Sequence, residues 1–201
     1  TAANSAAWGD ANGDGLNDVI MGAGASNVPT KLYANDAGNF DIANQQSFFP
    51  SGFGPHSTAY GDFNGDGHLE VLIGTGNSRF IDTYLVSNTL QRTASIPVSA
   101  PVNVVTLGDA NDDGYLDLLV GTSNGPTLLY RNTDGVLDTT PIWTSDFTGT
   151  VRSAAWLAFD GDRYMDFAVG HELGPVLIYH NNHDETFTPV FFASPAMRSL
   201  S

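Results

Sequence analysis

The 201-residue chain carries 22 Asp and Glu against 7 Lys and Arg, a formal net charge of −15, with 41% hydrophobic residues and no cysteine. Such a charge repels nucleic acid and anionic membrane surfaces and makes cations the natural partners, while the missing cysteine excludes a disulfide framework. The length suits one domain of the usual ~100–200 residues, and no apolar run approaches the ~18 residues that would argue for a membrane-spanning helix.

The N-terminal Thr1-Ala2-Ala3-Asn4-Ser5 has no initiator Met, basic start or apolar signal core, so the sequence reads as a processed protein or a window from a longer one. The first predicted element is Ser5-Ala6-Ala7-Trp8, followed by the acidic loop Asp10–Asp18, the β-rich run Val19-Ile20-Met21-Gly22, a third segment Lys31–Asn35 and the aromatic pair Phe48-Phe49. The order then repeats. Ser57–Tyr60, the loop Asp62–Glu70, Val71–Gly74, Asp82–Val86 and Ser95–Val98 make a second unit; Val104–Leu107, the loop Asp109–Asp117, Leu118–Gly121, Thr127–Asn132 and Pro141–Trp143 make a third. A fourth has Ser153–Trp156, the worn loop Ala158–Asp166, Phe167–Gly170, Val176–Asn181 and Pro189–Phe192. Residues 197–201 resemble the start of a further first strand. The unit boundaries fall near 1–52, 53–99, 100–147 and 148–196.

Short β-rich runs bounded by Gly, Pro and Asn are strand signals, and no window sustains helical periodicity. Four short strands per unit, recurring about every 50 residues, predict an all-β β-propeller of four-stranded blades, either closed with four blades or part of a larger ring. A blade cannot cover both of its faces alone. Trp8, Tyr60, Leu107 and Trp156, two places ahead of each loop, are therefore expected in the core between blades.

The loops alternate oxygen-bearing side chains with small residues, which matches Ca²⁺, a hard ion taking about six to eight oxygens at ~2.3–2.6 Å with tolerant geometry. In the first loop the expected ligands are the side chains of Asp10, Asn12 and Asp14, the Leu16 carbonyl and the closing Asp18. The second offers Asp62, Asn64, Asp66, His68 and Glu70, and the third Asp109, Asn111, Asp113, Tyr115 and Asp117. Gly15, Gly67 and Gly114 stand at the sixth position, where the chain must bend sharply. Mg²⁺, which demands a strict octahedron, fits less well. An EF-hand is excluded, because its twelfth-position Glu is replaced by Met21, Ile73 or Val120 inside predicted strands.

The motif Asp-x-Asn/Asp-x-Asp-Gly-x-x-Asp resembles the calcium loop of FG-GAP/VCBS repeats, familiar from integrin α-subunit propellers and many secreted microbial proteins. The resemblance covers all four units and implies about three Ca²⁺ sites. The fourth loop departs from it, with Ala158 at the first position and Arg163 at the sixth. It is expected to be empty, with the Arg163 guanidinium standing in for the ion against Asp160, Asp162 and Asp166. His180-Asn181-Asn182-His183-Asp184 is expected to be a solvated turn.

No nucleophile elbow or phosphate loop is present. The expected function is non-catalytic: a calcium-stabilised extracellular structural or adhesive module that binds a protein or glycan. Alternatives are a lectin, a filament subunit joined head to tail through its terminal strand, or a domain of a larger secreted enzyme. Nucleic acid binding and membrane insertion are not expected.

Overall fold

The computed structural model describes residues 3–23, 28–40, 45–48, 55–77, 79–86 and 90–193. They are all-β, with no helix and hence none long and apolar enough to cross a membrane. The predicted further strand at 197–201 lies outside the described residues.

The strands form four four-stranded antiparallel sheets and two small hairpins. Sheet I contains β1 (Ala3–Gly9), β2 (Asp18–Ala23) and β3 (Thr30–Tyr33); the hairpin of β4 (Asn35–Asp36) and β5 (Asn39–Phe40) precedes its last strand, β6 (Gln46–Phe48). Sheet II is β7 (Pro55–Gly61), β8 (Glu70–Thr75), β9 (Phe80–Val86) and β10 (Leu90–Pro97). Sheet III holds β11 (Val102–Gly108), β12 (Asp117–Thr122) and β13 (Gly125–Tyr130), then the hairpin of β14 (Asn132–Thr133) and β15 (Val136–Leu137), then β16 (Trp143–Gly149). Sheet IV is β17 (Val151–Leu157), β18 (Asp166–His171), β19 (Val176–Asn181) and β20 (Phe187–Ala193). Sequence reading missed both hairpins, whose strands are too short to show a period, and began the last strand of sheet III at Pro141 instead of Trp143.

Every sheet has the same register. The residue after the closing acid pairs with a tyrosine of the third strand: Val19 with Tyr33, Val71 with Tyr84, Leu118 with Tyr130 and Phe167 with Tyr179. Alternate residues then point to opposite faces. On sheet III, Leu118, Val120, Leu128 and Tyr130 pack toward sheet II, whereas Leu119 and Leu129 pack toward Phe167, Val169 and Leu177 of sheet IV. Ile20 and Leu32 of sheet I meet Val71, Ile73 and Tyr84 in the same way. The core is therefore three layers between consecutive sheets, with β1 against β7, β7 against β11 and β11 against β17.

At each layer a side chain from one sheet covers a glycine of the sheet before it. A Cβ on Gly9 would lie 2.7 Å from Leu69 Cδ1 and 3.0 Å from Tyr60 Cγ; on Gly61, 2.5 Å from Leu107 Cδ1; on Gly108, 2.6 Å from Trp156 Cδ2. Tyr60, Leu107 and Trp156 thus take the inter-sheet positions expected of them. Trp8 does not. It is 60% exposed, touching Phe40 edge-on at 5.8 Å, because sheet I has no sheet packed behind it among the described residues.

Candidate functional site: four acidic loops at the sheet junctions

Each acidic loop joins the first two strands of its sheet. In the first, Asp10 Oδ1 accepts from the Gly13 and Asp14 N–H at 2.8 and 3.0 Å and Oδ2 from Gly15 N–H at 2.7 Å. Asn12 Oδ1 accepts from Asp14 N–H and Asp14 Oδ1 from Leu16 N–H. The second loop repeats the scheme with Asp62, Asn64 and Asp66, whose Oδ1 accepts from His68 N–H, and the third with Asp109, Asn111 and Asp113, whose Oδ1 accepts from Tyr115 N–H. Leu16, His68 and Tyr115 are thus held in their loops by their main-chain N–H groups. The sixth-position glycines bend as required, with φ of +86° at Gly15, +87° at Gly67 and +91° at Gly114, in the left-handed region that a side chain disfavours.

The closing acids are held differently. Asp18, Glu70, Asp117 and Asp166 are each 1% exposed. One oxygen accepts from the N–H at the second loop position, as in Ala11 to Asp18, Phe63 to Glu70, Ala110 to Asp117 and Phe159 to Asp166. In sheets I, III and IV the other oxygen accepts from the N–H of an asparagine just past the third-strand tyrosine: Asn35, Asn132 and Asn181. Burial pushes the Glu70 carboxyl up to about 7 and the Asp117 carboxyl to about 6, and raises Asp18 as well; the backbone bonds oppose this, and the neighbouring loop acids add to it by like-charge repulsion. Each intact loop is a concentration of negative charge converging on a buried carboxyl, with hard oxygen donors and no cationic side chain of its own.

The same asparagines tie sheet to sheet. Asn132 Nδ2 donates to Phe63 O of the second loop at 2.6 Å and to Leu116 O at 3.0 Å; Asn181 Nδ2 donates to Ala110 O of the third loop at 2.7 Å and to Met165 O at 3.1 Å. Asn35 Nδ2 makes the bond within its own unit, to Asn17 O. The conformation of a loop is thereby coupled to the seating of the next sheet. Sequence reading overlooked these asparagines, although Tyr33-Ala34-Asn35, Tyr130-Arg131-Asn132 and Tyr179-His180-Asn181 repeat the pattern.

The fourth loop corrects two expectations. Arg163 does not fold back on Asp160, Asp162 and Asp166; its Nε reaches Asp112 Oδ2 of the third loop at 2.9 Å, 70% exposed, with its Nη2 on the Tyr164 hydroxyl. The fourth-position turn survives at Gly161 (φ +85°), but Arg163 lacks the positive φ of its glycine counterparts, so this loop is not curled around its own centre. Nor is His180 in a solvated turn. It lies in β19 with Nδ1 3.2 Å from Asp160 Oδ2 and 3.4 Å from Asp166 Oδ1. His183, in the following turn, bonds Asp162 Oδ2 at 2.5 Å and stacks on Tyr164.

The FG-GAP-like repeat family matches residues 10–73 and 109–169, two stretches that contain all four loops and together exceed half of the sequence. This chain belongs to the FG-GAP-like repeat family. No curated protein matches the sequence. Among solved structures, the FG-GAP-like chain is similar to the crystal structure of BBS1N in complex with ARL6DN, soaked with lead, with a TM-score of 0.66 and 13% sequence identity. The match covers 97% of this chain and 55% of that one, a β-propeller, so the fold is propeller-like and spans about half of the structure it resembles.

Proposed function

We propose that this protein is a non-catalytic, calcium-binding interaction module of the extracellular type, in which the four sheets are consecutive blades of a propeller. The observation that carries the calcium reading is the set of three loops whose oxygens converge beside a buried closing acid. Removing a carboxylate from water is costly unless a cation or hydrogen bonds compensate it. A divalent ion within each loop supplies that compensation, and the family's common extracellular setting supplies the ion. Sites of this kind in extracellular modules bind weakly, with Kd on the order of 10⁻⁴–10⁻³ M.

Calcium here acts on assembly of the blades rather than on a reaction. The second-position carbonyls of the second and third loops accept the Asn132 and Asn181 amides of the next sheet. An ion that fixes a loop therefore fixes the joint beside it. A resulting rigid arc presents its loops and blade edges to a protein or glycan partner.

The arc is completed by further blades to give a larger ring. Trp8 at 60% exposure and Met21 at 38% occupy positions whose counterparts, Tyr60 and Leu107 for the first and Ile73 and Val120 for the second, are packed between neighbouring sheets. Phe159 is 46% exposed at the opposite end of the arc. Direct closure of four blades would set Trp8 against Leu157, which stands where Gly9, Gly61 and Gly108 provide the seat.

Isothermal titration of the chelator-treated chain with CaCl₂, paired with thermal unfolding, tests the calcium reading. The expected result is about three equivalents bound, with each site adding on the order of 1.4 kcal/mol when free Ca²⁺ is tenfold above its Kd. Unchanged melting and no binding heat at millimolar Ca²⁺ would refute it.

A further inference from the structure

We propose that the fourth loop and β19 together form a site for a zinc-class first-row transition-metal ion, with His180 Nδ1, Asp160 Oδ2 and Asp166 Oδ1 as its protein ligands. These three donors come from two separate segments and lie within 4.8 Å of one another. The deciding observation is the state of the imidazole nitrogen. His180 Nδ1 is out of contact with solvent and faces two carboxylate oxygens at 3.2 and 3.4 Å, yet makes a hydrogen bond to neither. One nitrogen and two carboxylate oxygens gathered this closely, with no hydrogen bond joining them, are a donor set that a cation can bridge. Donors held ~2.0–2.2 Å from an ion at the tetrahedral angle stand about 3.4 Å apart, which matches both separations.

The remaining atoms of the ligands are fixed by other partners. Asp166 Oδ1 and Oδ2 accept from the Asn181 and Phe159 N–H, and Asp160 Oδ1 accepts from Asp162 N–H, leaving Asp160 Oδ2 for the ion. The Phe159 ring meets His180 edge-on at 6.0 Å and restricts its rotation. His180 and Asp160 are each about one-third exposed, so an ion reaches the site from solvent. Water completes the tetrahedron at the open fourth vertex.

The sequence contains the matching exchange. The residue immediately after the third-strand tyrosine is Ala34, Leu85, Arg131 and His180 in the four units, and the first loop position is Asp10, Asp62, Asp109 and Ala158. Imidazole enters the third strand in the one unit whose loop has lost its first carboxylate. The replacement changes the preferred ion. Two carboxylates with a nitrogen, on a loop without the sixth-position bend, are a poor set for Ca²⁺, which seeks about six to eight oxygens; imidazole with carboxylate suits Zn²⁺, Ni²⁺ or Cu²⁺.

The test uses the full 201-residue chain in excess Ca²⁺, so that its outcome is independent of whether the first three loops hold calcium. Titration with Co²⁺ should develop the intense visible absorption of a tetrahedral ion at one equivalent, and Zn²⁺ should displace it. His180→Gln and Asp160→Asn, both at solvent-reachable positions, should weaken Zn²⁺ binding by about 100-fold or more, since loss of mere supporting groups already costs ~10–100-fold. His183→Gln should bind as the parent does, because that ring is engaged with Asp162. Loss of the histidine ring proton-shift response of His180 to Zn²⁺ in the unmodified chain, measured by NMR, would count against the site without reliance on any variant. Absence of the Co²⁺ band, its abolition by excess Ca²⁺, or its persistence in His180→Gln would overturn the proposal.

Discussion

The third and fourth loops sit one sheet apart, and both close on an acid that is 1% exposed and held by two backbone N–H groups. They differ in what surrounds that acid. Around Asp117 stand Asp109, Asn111 and Asp113 on a backbone curled by Gly114; around Asp166 stand Asp160 and the His180 ring, on a backbone without the second curl. The comparison separates two roles that the repeat motif runs together. The closing acid is part of the fold, since in sheets I, III and IV it accepts from the asparagine N–H two places past the third-strand tyrosine, a position held by Val86 in sheet II. On the calcium reading proposed above, the alternating acids ahead of it select the ion, and the fourth unit keeps its joint without the first of them.

Replacing the two closing acids separates those roles most sharply. Asp117→Ala leaves two buried N–H groups without acceptors and Asp166→Ala leaves one buried and one part-buried, at a cost of ~1–3 kcal/mol per buried group. In chelator both variants should be destabilised in urea denaturation, Asp117→Ala by about 2–6 kcal/mol and Asp166→Ala by somewhat less. Adding Ca²⁺ should then stabilise Asp166→Ala as much as the parent while Asp117→Ala gains less by one site. Equal calcium gains in both variants would erase the distinction between the loops.

A change of pH probes the intact loops in a different way. Glu70 titrates from 4.5 in an unfolded chain to about 7 in the fold, with burial as the main cause. A raised carboxyl stabilises the calcium-free fold below the unfolded value, and that contribution is lost as the pH rises through about 7. Calcium requires the ionised form, so binding at the second loop should strengthen between pH 6 and 8, within about one pH unit of that value, with release of a proton. Glu70→Gln should flatten the calcium-free stability profile between about pH 4.5 and 7. A parent protein whose calcium-free stability rises steadily from pH 5 to 8 would contradict this account.

Much of this was legible because the repeat supplies its own alignment. Four copies of one acidic loop fix where the first strand ends and the second begins, and the all-β four-stranded units follow. Trp8 was misplaced because its sequence context equals that of Tyr60 and Trp156, while its burial depends on a sheet that must stand behind it. His180 was misread because its ligand partners are 14 and 20 residues away in sequence, and only the register of β18 with β19 brings them together. Arg163 was assigned to the nearest acids along the chain; the third loop's extra Asp112, at φ +60°, lies closer in space.

That Arg163–Asp112 contact gives the smallest expected effect, and it tests whether the third and fourth loops communicate through charge or through packing. The pair spans the two loops at 2.9 Å, but the side chains are 70% and 38% exposed. Water and salt screen such a pair, and ordering a long arginine offsets part of the gain, so exposed pairs contribute only ~0.2–1 kcal/mol. The Arg163 guanidinium also lies 5.2 Å from the Tyr164 ring centre, a contact that survives loss of the acid. Asp112→Asn, which removes the charge pair and spares the ring contact, should therefore lower stability by less than ~0.5 kcal/mol in physiological salt. Asn181→Ala, which removes the buried amide bonding Ala110 O and Met165 O, should cost about 1–3 kcal/mol, several times more. If urea denaturation instead finds the Asp112 variant the weaker of the two, the joint between these sheets is electrostatic, and the asparagine ties are secondary to it.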